Sequence, residues 1–255
     1  MSAETFKADY QGATVRLSPN FEERKDGAKP QFLVLHYTGM ENAESAERLL
    51  CSPEAKVSAH YVVEEDGKVV QLVKETCRAW HAGESFWRGI TDVNSHSIGI
   101  EIVNGGPLLN FPDYPEKQIE SVIKLCKSVI EKYSIEKRNV LGHSDIAPHR
   151  KSDPGEKFPW ETLFNAGIGH FVRPAAISGG RFMTNGESGR PVEAYQSMLA
   201  LYGYGIDITG SFDERTQLVT KAFQRHFRPQ KVDGVADVST IDTLHRLLGT
   251  LKSLT

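Results

Sequence analysis

Residues 32–37, Phe-Leu-Val-Leu-His-Tyr, decide how the first part of this chain folds. A continuous apolar run that ends in a polar patch is typical of a strand buried on both faces of a sheet. The alternating stretch Ser-Ile-Gly-Ile-Glu-Ile-Val at 97–103 and the Val-Leu pair at 140–141 are two further predicted strands. Residues 61–73 form two apolar runs around an Asp-Gly pair, which favours a hairpin with a tight turn. These segments predict a sheet.

A long amphipathic helix follows the strand at 97–103. Apolar residues recur at three-and-four spacing from Ile119 to Tyr133, which places them on one helix face. Pro115 is expected in the first turn of this helix, with Asp113 as its cap. Strands and helices interleave up to about residue 170, so we expect an α/β domain in which helices cover a sheet.

The composition changes after this point. Residues 173–180, Arg-Pro-Ala-Ala-Ile-Ser-Gly-Gly, are typical of a linker. Beyond them, 210–216 and 234–240 share the pattern Gly-x-x-Asp-x-x-Thr, in which the glycine allows a turn and the aspartate caps a helix. With a third helix at 191–202, the pattern predicts a small all-α three-helix domain, near the lower size limit for independent folding.

The overall composition excludes some classes of protein. The formal net charge of −3 gives no general attraction to nucleic acid or anionic membranes. No stretch approaches the ~20 apolar residues of a transmembrane helix. The three cysteines, Cys51, Cys77 and Cys126, are odd in number and lack CxxC spacing. Neither a disulfide framework nor a thiolate metal site is therefore expected.

Three residues point to a metal site. His36 ends the first predicted strand, His143 follows the strand at 140–141, and Asp153 lies ten residues further on. Two imidazoles and one carboxylate suit a catalytic zinc, which takes three protein ligands and leaves a fourth position open. Each residue also has an ordinary interpretation. His36 alone fits a hydrogen-bonded core histidine, and Asp153 in Asp-Pro-Gly fits a simple turn.

Glu101 and Lys151 are candidate catalytic residues. Glu101 interrupts an otherwise apolar strand, and burial would raise its pKa so that it could act as a general base. The alternative is an edge strand with Glu101 facing water. Lys151, two residues before Asp153, could place a cation on a developing oxyanion, although a solvated loop lysine fits its position equally well.

Five segments in one order resemble a known family, the type-2 N-acetylmuramoyl-L-alanine amidases, which are zinc amidases of bacterial cell-wall cleavage and recycling. The resemblance covers about residues 28–168. The segments are Leu-Val-Leu-His-Tyr-Thr (33–38), Val-Ser-Ala-His-Tyr-Val-Val (57–63), Ala-Trp-His-Ala-Gly (79–83), Asn-Ser-His-Ser-Ile-Gly-Ile-Glu (94–101) and Gly-His-Ser-Asp-Ile-Ala-Pro-His-Arg-Lys-Ser-Asp-Pro-Gly (142–155).

The resemblance implies a fold, a cofactor and a reaction. The fold is a mixed β-sheet flanked by helices, and the cofactor is one Zn²⁺ per chain on His36, His143 and Asp153. Glu101 is then the general base and Lys151 stabilises the transition state. The reaction is hydrolysis of the amide between the muramic acid lactyl group and L-alanine of peptidoglycan or muropeptides. His60, Trp80 and His81 are predicted to contact the substrate.

The C-terminal region resembles the small helical peptidoglycan-binding domain. The resemblance rests mostly on packing and capping residues, so it supports the fold better than it supports binding. The predicted divisions are an N-terminal extension, a zinc amidase catalytic domain, a linker and a helical peptidoglycan-binding-like domain, at 1–27, 28–170, 171–185 and 186–255.

Two other functions fit the same features. Some proteins of this fold bind peptidoglycan without cutting it, and a zinc peptidase would cut within the stem peptide. Residues 1–9 lack the features of a signal peptide, which predicts a bacterial cytoplasmic protein. A wall-binding domain favours the alternative, the periplasm or cell envelope. The sequence leaves open the preference for anhydro-muropeptides or polymeric wall, and the oligomeric state.

Overall fold

A computed structural model describes residues 6–251 of the chain. Residues 1–5 of the predicted N-terminal extension and 252–255 of the predicted helical domain lie outside this range. None of the helices within 6–251 is long and apolar enough to cross a membrane.

A six-stranded mixed sheet forms the centre of the first domain, in the order β1-β5-β4-β7-β3-β8. The central strands β4, β7, β3 and β8 run parallel, whereas β4 and β5 form the predicted antiparallel hairpin. A separate antiparallel pair joins β2 and β6. The eight strands in the described residues are β1 (Ala13–Val15), β2 (Phe21–Glu23), β3 (Phe32–Tyr37), β4 (Tyr61–Val63), β5 (Val69–Gln71), β6 (Cys77–Ala79), β7 (Ser97–Ile102) and β8 (Val140–Gly142).

The described residues also contain seven α-helices. They are α1 (Ala43–Leu50), α2 (Glu116–Tyr133), α3 (His143–Ile146), α4 (Trp160–Asn165), α5 (Arg190–Tyr202), α6 (Glu214–Phe227) and α7 (Val238–Leu251). The apolar face of α2 packs on β3, β4 and β7, as its residue spacing predicts. The predicted cap is wrong, however. Pro115 is the N-cap of α2, and the Asp113 carboxylate instead pairs with Lys157 Nζ at 3.0 Å.

The strand register brings the predicted site residues together. In the parallel pair of β3 and β7, His36 lies beside Glu101. In the pair of β3 and β8, Leu35 lies beside Gly142, so the next residues along each strand, His36 and His143, leave the same edge of the sheet. Functional side chains gather at the carboxyl ends of parallel strands for this topological reason. The fold class predicted from the sequence, a mixed sheet flanked by helices, is confirmed.

The segment predicted as an N-terminal extension contributes to this sheet. Its strand β1 pairs in parallel with β5 at the sheet edge. Further along, the buried Arg24 guanidinium donates hydrogen bonds to the carbonyls of Ser95 at 2.8 Å and Ser97 at 2.9 Å. These contacts fix the chain that leads into β7, the strand of Glu101.

Two of the three C-terminal helices, α6 and α7, are capped as the repeat predicts. Asp213 accepts a hydrogen bond from the Thr216 amide at 2.8 Å, and Asp237 accepts one from the Thr240 amide at 2.7 Å. The helices do not form a separate core, because the buried side chains of α5 and α6 belong to the same apolar cluster as those of β3 and β7. Helix α6 also contacts α3, the short helix that begins with His143.

Candidate metal centre and active site

His36, His143 and Asp153 converge as predicted. His36 Nδ1 lies 3.0 Å from His143 Nδ1 and 2.9 Å from Asp153 Oδ2, and His143 Nδ1 lies 3.1 Å from the same carboxylate oxygen. All three side chains are buried. The two histidines leave neighbouring parallel strands, while Asp153 is held by a hydrogen bond from the Ser144 amide to its carbonyl at 2.9 Å. These residues form a group able to hold a metal ion.

The proton positions on the two histidines fit a bound cation. His143 Nε2 lies 3.1 Å from the Ala82 carbonyl, which can only accept, and 3.4 Å from Arg150 Nη2, which can only donate. The shorter contact favours a proton on Nε2, which leaves a lone pair on Nδ1. That lone pair faces the Asp153 carboxylate. Nitrogen and oxygen lone pairs this close repel one another unless a proton or a metal cation lies between them, and two histidines and an aspartate form a donor set that suits zinc.

His36 is also held through its Nε2 atom, here by a side chain. Its Nε2 lies 3.0 Å from His81 Nδ1, and His81 Nε2 lies 3.0 Å from the Ser97 hydroxyl. Burial lowers the pKa of His36 to about 4, with the neighbouring His143 as the second cause. His36 therefore stays neutral near pH 7, the state in which imidazole binds a metal.

The Ala-Trp-His-Ala-Gly segment thus contacts the Nε2 atoms of both candidate histidine ligands. Its His81 side chain meets His36, and its Ala82 carbonyl meets His143. His81 can occupy this place only because residue 99 is a glycine: a Cβ on Gly99 would lie 2.5 Å from the His81 ring. Sequence reasoning placed His81 on the substrate wall, and His81 does line the cleft, while its side-chain hydrogen-bond partners are His36 and Ser97.

Glu101 and Lys151 lie on the same cleft as the three candidate ligands. Strand β7 lies between β4 and β3, so Glu101 does not belong to an edge strand. Its Oε2 is shielded from solvent and has no hydrogen-bond partner among the described residues. Burial, followed by the negative charge of Asp153, raises the pKa of Glu101 well above its usual range, and Lys151 opposes this rise. An unpartnered carboxylate of raised pKa beside a metal group is suited to accept a proton.

Trp80 and His60 have different surroundings. Trp80 is half-buried and lines the cleft, as predicted for a substrate contact. His60 is fully buried and does not line the cleft. Its Nδ1 accepts a hydrogen bond from the Gly99 amide at 3.0 Å, and its Nε2 lies 3.1 Å from the Cys77 carbonyl. The position of His60 therefore does not support its predicted role in substrate contact.

One wall of the cleft was missed by sequence reasoning. It consists of the end of β3, helix α1 and the start of the segment after it. A signal for α1 was present, because Asn42 caps the helix by accepting a hydrogen bond from the Ser45 amide at 2.9 Å. The residues of this wall that line the cleft are Tyr37, Thr38, Met40, Ala46, Leu49, Leu50, Val57 and Ser58.

Comparisons with known proteins agree with this geometry. The family described as N-acetylmuramoyl-L-alanine amidase matches residues 26–156, and the putative peptidoglycan binding domain matches residues 188–244. N-acetylmuramoyl-L-alanine amidase AmiD of Escherichia coli is 39% identical over 221 residues, which cover 82% of this chain and 78% of AmiD. The 1,6-anhydro-N-acetylmuramyl-L-alanine amidase AmpD of the same organism is 32% identical over 160 residues, covering 56% of this chain and 85% of AmpD.

Solved structures are also similar over most of the chain. The complex of Escherichia coli AmiD with anhydro-N-acetylmuramic acid-L-Ala-D-gamma-Glu-L-Lys has a TM-score of 0.73 and 34% identity, covering 91% of this chain and 98% of AmiD. AmpDh3 from Pseudomonas aeruginosa has a TM-score of 0.71 and 31% identity, covering 97% of this chain and 100% of AmpDh3.

Fold and site together define a hydrolase with a buried metal-binding group in an α/β domain joined to a helical domain. The chain belongs to the N-acetylmuramoyl-L-alanine amidase family. It is an amidase that hydrolyses the amide between the muramic acid lactyl group and L-alanine in cell-wall turnover, as the sequence predicts.

Proposed function

We propose that this chain is a zinc-dependent amidase that releases stem peptides from muropeptides with an anhydro-muramic acid end. One Zn²⁺ would be held by His36, His143 and Asp153. The arrangement of lone pairs on these three side chains, 2.9 to 3.1 Å apart and beside an unpartnered Glu101 carboxylate, is the observation that carries the proposal. When bound there, zinc would supply a Lewis acid that makes water nucleophilic at neutral pH and polarises the lactyl carbonyl.

The protein residues move the proton and stabilise the charge. Glu101 accepts the proton that the attacking water loses when its oxygen bonds to the lactyl carbonyl carbon. When the C–N bond breaks, Glu101 returns that proton to the departing amine of L-alanine. The Lys151 ammonium group at the cleft rim faces the charge that develops on the carbonyl oxygen. The products are a lactyl carboxylate and a peptide with a free amino terminus.

The relatives support the choice of substrate. The AmiD complex holds an anhydro-muramic acid peptide, and an AmpDh3 structure is a complex with an anhydromuramic pentapeptide. Trp80, which lines the cleft, is placed to pack against the sugar or the stem peptide. We propose that the helical domain matched at 188–244 adds contact with polymeric peptidoglycan.

The cellular compartment is proposed on grounds other than the chemistry of the site. Our proposal is the bacterial cytoplasm, where released muropeptides are processed, and the envelope is the alternative. All three cysteines are free, which is the usual state in a reducing compartment. Cell fractionation of the native protein tests this, and detection in the envelope fraction alone would overturn the cytoplasmic assignment.

Zinc analysis combined with a digest of a defined anhydro-muropeptide tests the proposed function. We expect about one zinc per chain, and mass spectrometry should find the intact stem peptide and the free anhydro-muramic sugar. Shortened stem peptides would identify a peptidase. Stoichiometric binding of cell wall without any released peptide would identify a recognition protein.

A further inference from the structure

A buried carboxylate next to the metal group has partners from both domains. Asp145 is 1% exposed and lies two residues after His143. Its Oδ2 accepts a hydrogen bond from the Gly142 amide at 2.8 Å and one from His226 Nδ1 at 2.7 Å. Its Oδ1 accepts a hydrogen bond from the Tyr204 hydroxyl at 2.7 Å. The carboxylate therefore satisfies one donor of its own loop and two donors from the helical domain.

The loop that Asp145 stabilises carries His143. The bond from the Gly142 amide to Asp145 closes the chain around His143, and the Ser144 amide donates to the Asp153 carbonyl at 2.9 Å. Two of the three candidate ligands are thereby joined within one small hydrogen-bonded unit. A shift of the Asp145 carboxylate would move this unit, because a buried carboxylate cannot exchange its donors for water without a large cost.

The two donors from the helical domain are held rigidly. The His226 ring stacks on Trp160 with centroids 3.7 Å apart and on Phe227 with centroids 3.9 Å apart. Tyr204 packs edge-on against Trp87 with centroids 5.0 Å apart. Both donors lie within the region that matches the peptidoglycan-binding domain, and neither lines the catalytic cleft.

We propose that Tyr204 and His226 are positioning residues of the metal centre, which act on His143 through Asp145. The helical domain then completes the catalytic unit and does more than bring the enzyme to its substrate. This inference rests on the proposed zinc amidase function. It assigns to the helical domain a role that its packing and capping residues do not indicate.

A pair of tyrosine variants in the full chain tests the proposal. Tyr204→Phe removes the hydroxyl that donates to Asp145. Tyr202→Phe is the matched control, since Tyr202 is equally buried and its hydroxyl lies 2.9 Å from His170 Nδ1, away from Asp145. Zinc affinity is measured by competition with a chelator, kcat and KM with an anhydro-muropeptide, and Tm on the zinc-free protein.

We expect the two variants to lower Tm by similar amounts but to differ at the metal. Loss of an outer partner of a metal ligand costs about 10- to 100-fold in affinity, and Asp145 acts one layer further out, so Y204F should weaken zinc binding by about tenfold. The kcat of Y204F should fall while its KM stays unchanged, because Tyr204 does not line the cleft that binds the substrate. Y202F should keep the wild-type zinc affinity and kcat. Equal zinc affinities for Y204F and Y202F would overturn the inference.

Variants of His226 give an independent test. His226→Phe keeps the aromatic stack on Trp160 but removes the donor, whereas His226→Asn keeps an N–H near the position of Nδ1. We expect weaker zinc binding in H226F and partial recovery in H226N, and the reverse order would contradict the proposal. A wild-type chain that binds no zinc would instead contradict the proposed function, so the two failures are distinguishable.

Discussion

Three buried histidines of this protein's cleft region fall into two groups that differ in the hydrogen-bond partners of their nitrogens. At His60 both nitrogens face backbone groups, the Gly99 amide on one side and the Cys77 carbonyl on the other. At His36 and His143, Nε2 has a hydrogen-bond partner, the His81 ring and the Ala82 carbonyl respectively, while the two Nδ1 atoms face each other and the Asp153 carboxylate. All three rings are buried. What distinguishes the two candidate ligands from His60 is therefore an Nδ1 atom that faces the Asp153 carboxylate, and not burial.

Replacing one histidine from each group should separate them most strongly. His143→Ala removes a ligand, so zinc binding should be lost and turnover should fall by more than the roughly 100-fold that an outer partner costs. His60→Gln should lower Tm, because it disturbs a buried residue, but should leave one zinc per folded chain. Metal analysis and muropeptide turnover measure both effects. Loss of zinc in H60Q as complete as in H143A would show that the two groups do not differ.

A change at Glu101 should separate catalysis from metal binding at the site of His36 and His143. Glu101→Ala removes the proposed base and leaves the three ligands in place. Turnover should fall by about 10²- to 10⁴-fold, the usual contribution of general acid–base catalysis. Zinc content should stay at the wild-type level, which chelator competition can check. Near-native turnover of E101A would remove Glu101 from the mechanism.

His81 lies between the two groups and tests how far the ligand arrangement extends. Its ring contacts His36 through Nδ1, and the His60 ring lies 5.8 Å away, centroid to centroid. We expect His81→Ala to weaken zinc binding by about 10- to 100-fold, because His36 loses the partner that fixes its ring. A substrate-contact role predicts a different result, a higher KM with unchanged zinc affinity. Chelator competition and steady-state kinetics decide between these roles.

The sequence predicts the candidate ligands better than it predicts the residues that hold them in place. The candidate ligands His36 and His143 and the candidate base Glu101 stand out because they follow or interrupt apolar runs that identify buried strands, and parallel strands bring such positions to one edge. The partners of Asp145 are 59 and 81 residues away along the chain, so no local pattern reports them. The role of His81 likewise depends on a missing Cβ at Gly99 in another strand.

Short elements escaped prediction for a related reason. Strands β1, β2 and β6 have three residues each and no continuous apolar run around them, unlike the equally short β4, β5 and β8. They form because neighbouring strands offer hydrogen-bond partners. Helix α1 was also missed, although the Asn42 cap that indicates its start was present in the sequence.

The smallest effect that we expect concerns stability and pH in the metal-free protein. The pKa of Glu101 is raised by burial above its unfolded value, so the ionised carboxylate destabilises the fold as pH rises from the unfolded pKa through the folded pKa. Below the unfolded pKa the group is protonated in both states and has no such effect. Glu101→Gln, which keeps the shape without the charge, should therefore raise Tm at neutral pH and change it little under acid conditions.

Thermal unfolding of wild type and E101Q in the presence of a chelator measures this difference across pH. For a chain of this size each kcal/mol corresponds to about 2–4 °C in Tm. Lys151→Met serves as a second check, because it removes a cation that lowers the pKa of Glu101. The rise in Tm that E101Q causes at neutral pH should therefore be larger in a K151M chain than in the wild-type chain. A Tm difference that is constant from acid to neutral pH would show that Glu101 has no raised pKa. In that case the Glu101 carboxylate would resemble His60, whose two nitrogens both have backbone hydrogen-bond partners. It would not resemble His36 and His143, whose Nδ1 atoms face the Asp153 carboxylate.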